Sequence, residues 1–239
     1  MPDGHRTSLV SGQRALLVTA GIAALLSVAL IPGQVILWVV EPPPDTAQGI
    51  LELLIQRPVM GLIRLDLPIV VNYGIVLLIY IALFVILYRK EPVYSLVGLV
   101  LGATAMASFF PTNTAVEMLR LSRLYAVAPA VERVGLLASA NAQLAVMQGT
   151  GYTAFYLLSG VALLAFSVAM LRTNVFSRLA SWMGVAGGIA MLVPSNFGWF
   201  GLLMSLVSLI PWAFFAVLVG VRLIRLSGQH GVVSLTTGD

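Results

Sequence analysis

No cysteine occurs in the 239 residues. That removes disulfide bridges, a thiolate nucleophile and any cysteine-held metal. Histidine is almost as scarce: His5 and His230 lie in the two tails, so no apolar stretch offers haem ligation or a histidine metal cluster. Lysine occurs once, as Lys90 at the edge of an apolar segment, which removes a buried Schiff-base lysine. Charged residues make up only 9% of the chain, where a soluble domain carries about a quarter. No Asp, Glu, Lys or Arg falls in the middle of an apolar run, and residues of that kind mark proton relays and ion-coupled transport. These absences predict no cofactor, no metal site and no catalytic residue.

What is present is apolar: 59% of residues are hydrophobic, more than a soluble fold of this length carries. The expectation is an all-α integral membrane protein forming a single domain. A spanning helix needs about 20 apolar residues, and six segments qualify, at approximately 14–40, 67–88, 93–111, 151–171, 179–198 and 202–226. The first is overlong and contains Pro32-Gly33, which predicts a kink or an early exit. It runs past the length of a signal-peptide core with no cleavage site after it, so it reads as an uncleaved first span. The fifth is interrupted by "PSNFGWFG" at 194–201.

Basic residues orient such a chain. Arg6, Arg14, Arg89, Lys90, Arg172, Arg178, Arg222 and Arg225 fall on one side, eight of the 13. Arg57, Arg64, Arg120, Arg123 and Arg133 fall on the other. Both termini are therefore expected in the cytoplasm. The net charge of +4 serves this orientation and gives no reason to expect nucleic acid.

Two long segments then lie outside. In the first, 45–57, Gln48, Glu52 and Gln56 recur opposite Ile50, Leu53 and Leu54, which predicts a short amphipathic helix lying along the interface. The second, 114–148, opens with Thr114-Ala-Val-Glu117, a capping-box pattern in which the Thr side chain takes the N3 amide and Glu reaches back. Glu117, Arg120 and Arg123 form a polar stripe there, and Met118, Leu121 and Tyr125 an apolar one expected to face the mouth of the bundle. Pro129 stops that helix. A second helix, near 130–148, carries Leu137, Ala140, Leu144 and Met147 on one face.

Polar residues inside the spans are Gln34, Asn72, Tyr73, Tyr152, Thr153, Tyr156 and Ser159. They read either as interhelical hydrogen bonds or as the lining of a cavity for a lipid or small apolar molecule. Gly98-x-x-x-Gly102 and Gly184-x-x-x-Gly188 permit close backbone approach, within the chain or between copies. Arg89 to Pro111 and Arg172 to Pro194 are the same distance, with "YRK" matched by "LRT" and "PTN" by "PSN". A duplicated hairpin in parallel orientation and coincidence in apolar sequence both fit that match.

From Asn113 onward, "NTAVEMLRLSRLYAVA", "QGTGYTAFYLLSGVALLAFSVAMLRTNVFSRLASWMGVAGG" and "LVGVRLIRL" resemble an uncharacterised family of bacterial six-span membrane proteins, catalogued as domain of unknown function 4386. The stretch at 170–177 is the most specific part, and the resemblance covers about the last half of the chain. It implies a six-helix bacterial inner-membrane fold with an outside helical insert, and it implies no activity. The segment at 41–56 falls outside it. The functional expectation is a non-enzymatic membrane protein that binds lipid or a partner membrane protein. Candidate binding residues are Arg120, Arg123, Asn72, Tyr152 and Tyr156, and candidate packing residues are Gly98, Gly102, Gly184 and Gly188. Alternatives are a small carrier or lipid translocator and an accessory subunit of a larger complex. A homo-oligomer is the remaining partner class.

Overall fold

The computed structural model describes residues 3–40, 42 and 44–233, with the side chains of 3–11, 34, 37–39 and 229–233 excepted. The tail residues His5, Arg6, His230 and Asp239, with Gln34 and Glu41, therefore lie outside the described side chains. Among the described residues the chain is all helix: α1 Asp3–Val40, α2 Ala47–Gln56, α3 Pro58–Arg64, α4 Leu67–Leu87, α5 Pro92–Phe109, α6 Ala115–Val127, α7 Ala130–Met147, α8 Thr150–Thr173, α9 Arg178–Met191 and α10 Gly198–Val233. Five helical stretches are long and apolar enough to cross a membrane. The chain has the build of a membrane protein.

The helix ends follow from local chemistry. Pro68 and Pro92 sit in the first turns of α4 and α5, where their missing amide hydrogen is no loss. Asn174 closes α8 in the left-handed region at φ 53°, and Ser177 then caps α9 by accepting from the Ala180 amide at 3.2 Å. The early exit expected at Pro32 is absent, and α1 runs on through it to Val40. A proline costs a soluble helix about 3 kcal/mol, but spanning helices tolerate one when neighbouring groups re-satisfy the freed carbonyl.

Of the six expected spans, five lie on helices long and apolar enough to cross. The fifth segment supplies α9, whose 14 residues cover only about 21 Å at 1.5 Å each, short of the roughly 30 Å of hydrocarbon. Pro194 is the cause, because it removes a backbone donor and pushes the residue before it out of helical geometry. Residues 192–197 continue the path without helix. Ser195 and Asn196 hydrogen-bond to Tyr152 and Thr153, so segment 178–196 retraces α8 to its first turn.

Packing runs round a ring: α1 on α4, α4 on α5, α5 on α8, α8 on α9, α9 on α10, and α10 back on α1. The interior is filled. Tyr80 is 2% exposed and stacks against Phe166 at 5.2 Å, with Leu83, Leu163 and Phe215 fully buried around them. Glycines set the closest crossings. A methyl at Gly98 would stand 2.8 Å from the Phe166 ring, and one at Gly188 would stand 2.9 Å from the Gly160 carbonyl. Gly102 abuts the Tyr80 ring, and Gly184 abuts Ser167 and Phe215. All four thus serve contacts within one chain. Gly21 and Gly220 do the same between α1 and α10, a pair that no four-residue spacing announced.

The two long segments pair with one another. Ile50, Leu51, Leu54, Leu65, Ala115, Met118 and Ala140 form a second core, joined by Leu121, Tyr125, Leu137, Leu144 and Met147. Met118, Leu121 and Tyr125 therefore face α2 and its neighbours, not the bundle mouth as expected. The apolar face of α2 is likewise consumed by this core and does not lie free along an interface. We call α2, α3, α6 and α7 the cap. It meets the bundle chiefly where α3 enters α4 and α7 enters α8.

The expected capping box is absent as well. Thr114 sits at φ −90°, ψ 24°, away from the extended geometry such a cap needs, and makes no side-chain cap bond. Its hydroxyl donates to the Gln143 carbonyl at 3.3 Å, tying α6 to α7, and the Asn113 side chain accepts from the Ala115 amide instead.

The 83-residue displacement between the two matched hairpins recurs in the bounds of several helices. Ala47 and Ala130, Leu67 and Thr150, and Ala115 and Gly198 are helix starts lying 83 residues apart, and Arg64 and Met147 are helix ends at that displacement. One hydrogen bond recurs with it: the Asn113 side chain donates to the Leu65 carbonyl at 3.1 Å, and Asn196 donates to the Gln148 carbonyl at 2.8 Å. Both bonds join the end of a returning helix to the residue just before its partner begins. The correspondence fails where Pro58 divides α2 from α3, while α7 stays whole, and where α9 is shorter than α5.

Candidate functional site

The candidate residues fall into two places that do not meet. The first is the cap end of the bundle. Tyr152 and Tyr156, four apart on α8, project toward the returning chain: Tyr152 shares a hydrogen bond with Ser195 at 2.6 Å and Tyr156 with Ser205 at 2.8 Å. Asn196 donates to the Thr153 hydroxyl at 3.0 Å. The helical spacing of α8 thus lines up hydroxyls along one edge, and the non-helical 192–197 link supplies their partners. This edge ties α8, α10 and the link together, so most of the polar residues of the fourth span serve interhelical hydrogen bonds.

Behind that edge the space is closed by rings. Tyr73 lies 4.5 Å from both Phe109 and Phe155, and Phe109 lies 5.0 Å from Phe155. These separations are those of packed aromatic pairs and leave no room for a ligand between them. Two polar atoms stay unpaired there, the Asn72 Oδ1 and the Ser159 Oγ, both buried. Asn72 continues the buried stripe of Val76, Ile79, Tyr80 and Leu83 and is its last member at the cap end.

Asp66 stands at the joint between α3 and α4, in the left-handed region at φ 54°. Its carbonyl and that of Leu65 both accept from the Asn113 side chain. Part of its surface stays open, yet the surrounding protein desolvates the carboxylate and pushes its pKa up to about 6.

The second place is α6. Arg120 and Arg123 are exposed and share one face of α6 with Val116, Leu119 and Leu124. Neither guanidinium has an ion pair or hydrogen bond among the described residues, whereas Arg133 is held by the Ala128 carbonyl at 3.0 Å and by the Tyr125 ring. Past Leu124 a shallow, open depression is lined by Val127, Ala128, Pro129 and Glu132 at the α6–α7 turn. None of the fourth-span hydroxyls lines either surface. The structure does not bring these candidate arginines and the fourth-span hydroxyls together.

At the opposite end Arg172 pairs with Glu91 at 2.9 Å and lies over the Tyr94 ring, clamping the α4–α5 link to the end of α8. Among the described residues no group of acidic or histidine side chains is arranged to hold a metal. No family model, curated protein or solved structure matches the chain.

Proposed function

We propose that this is a non-enzymatic membrane protein that works by binding, with its cap outside the cell membrane and both termini in the cytoplasm. Its ligand is an anionic group borne on an apolar body, and a phospholipid head group on its acyl chains has that chemistry. The observation that carries this reading is the pair of exposed arginines on α6, which have no partner among the described residues and stand beside Val116, Leu119 and Leu124. A planar guanidinium binds phosphate or carboxylate oxygens through two parallel hydrogen bonds. Two of them one turn apart, beside apolar side chains, suit such a group better than a small hydrophilic anion. The resemblance to the uncharacterised six-span family is compatible with this reading and adds no activity to it.

The carrier reading has less support, because a path through the bundle has to part Tyr73, Phe109 and Phe155 and displace Tyr80 from Phe166. The accessory-subunit reading gains no support from the four glycines, which are occupied by contacts within the chain. The test replaces Arg120 and Arg123 together with Gln and compares bound lipid or partner by native mass spectrometry from mild detergent. Loss of a bound anionic lipid or partner, with the fold intact, supports the proposal. Retention at the wild-type level overturns it.

A further inference from the structure

The most exposed apolar side chains of the cap cluster at one point. Val131 is 87% exposed, Val127 84% and Val134 72%, all at the α6–α7 turn, beyond the reach of α2 and the cap core. Valines in that number on a water-facing hairpin form an apolar patch that needs a cover. Two observations say what covers it. The first is continuity. Val93, Val97 and Val100 form an exposed stripe at helical spacing on α5, the face an apolar spanning helix turns to lipid, and Phe110 stands exposed where α5 ends. Past that end the exposed apolar surface resumes with Val116, Leu124 and Val127 on α6. The second is charge. The polar stripe of α6 is Glu117, Arg120 and Arg123, all exposed. The two arginines have no partner among the described residues and outnumber the one carboxylate, and a net basic stripe beside an apolar patch matches an interface of phosphates above acyl chains.

We infer that the α6–α7 hairpin is seated in the outer leaflet of the membrane, with Val127, Val131 and Val134 at the boundary of head groups and acyl chains and Arg120 and Arg123 among the phosphates. The occupant of the patch is the lipid surface. The inference rests on the proposed function for the side of the membrane on which the cap lies, and it gives that reading a mechanism: the cap reaches its ligand by lying on the leaflet that contains it. The interfacial role expected for α2 belongs to this turn, because α2 has turned its apolar face into the cap core.

Because the chain contains no cysteine, single substitutions report cleanly. Spin labels are placed on Val127→Cys, Val131→Cys and, as the water-facing reference, Gln48→Cys on the polar stripe of α2, in full-length protein reconstituted into phosphatidylethanolamine–phosphatidylglycerol nanodiscs. All three sites are exposed, so labelling leaves the packing undisturbed. The collision ratio of oxygen to a water-soluble nickel chelate is the readout. The inference expects oxygen to dominate at Val127 and Val131 and nickel to dominate at Gln48. Nickel dominance at Val127 and Val131 overturns it. So does spin–spin broadening there that disappears on dilution with unlabelled protein, because a second copy is then the cover. If the labels report water while the Arg120→Gln, Arg123→Gln protein still loses its lipid, the seating is wrong and the arginine reading stands. If the labels report lipid while lipid retention ignores the arginines, the seating stands alone.

Discussion

Gly102→Ala adds one methyl group at a tight crossing of the bundle. That methyl would overlap the ring of Tyr80, with Ala162 only 3.6 Å away on the other side. The ring cannot swing clear, because Tyr80 is 2% exposed and is held against Phe166 at 5.2 Å. Either α5 moves away from α4 or the Tyr80–Phe166 stack shifts, and overpacking of this kind costs about 1–3 kcal/mol. At roughly 2–4 °C per kcal/mol for a chain of this size, the melting temperature in detergent should fall by about 2–12 °C. Gly74→Ala is the matched control on α4, since nothing lies within 4 Å of the added methyl. There the gain in helix propensity, about 0.5–1 kcal/mol, should leave stability unchanged or slightly raised. Pairing Gly102→Ala with Tyr80→Leu, which removes the obstructing ring, should recover part of the loss relative to Tyr80→Leu alone. If Gly102→Ala melts with the wild type, or if its cost is the same with and without the Tyr80 ring, the assignment of Gly102 to packing within the chain is wrong.

Accessibility tags at residues 1, 90, 175 and 239 should report one side of the membrane and tags near 45, 125 and 198 the other; tags at 90 and 125 reporting the same side would mean that α5 does not cross. Burial raises the Asp66 pKa from 3.8 to about 6, so between those values the folded chain binds more proton than the unfolded one. The Asp66 contribution to stability is therefore greatest at low pH and is lost as the pH rises through about 6; Asp66→Asn should remove that slope from the melting temperature and raise it at pH 7.5, and an unchanged slope would show that another group causes it. Tyr152→Phe and Tyr156→Phe each delete one interhelical hydrogen bond, to Ser195 and Ser205, and such bonds average about 0.6 kcal/mol in membranes. Each should lower the melting temperature by a few degrees at most while leaving lipid binding at Arg120 and Arg123 intact, and a loss of that lipid would join the two sites that the fold keeps apart.

Most of the architecture was legible because it depends on composition and period alone. Uninterrupted runs such as "LPIVVNYGIVLLIY" can be satisfied only by helix in an apolar solvent, since each backbone donor must find its acceptor in the same segment. The failures share a cause. Thr114 carries the residue spacing of a capping box, but its backbone geometry is set by the turn out of α5, and its hydroxyl finds Gln143 29 residues away. The apolar stripe of Met118, Leu121 and Tyr125 announced a buried face without saying against what, because amphipathic period is blind to partner. The α9 segment has the composition of a span, yet Pro194 and the hydroxyls of α8 divide it into a short helix and a link.

The sequence by itself determined the helical class, the separation of charge between the two ends, the reach of the long helices and the presence of Arg120 and Arg123 on one exposed face of α6. Those follow from residue type and helical period, which are local. The tertiary structure decided that the two long segments form one cap, that the glycines are occupied within the chain, that α9 is too short to span alone, and that the arginines lie apart from the tyrosines. Each of these is a pairing between residues distant in the chain, and such a pairing depends on which apolar faces find one another when all compete for the same burial.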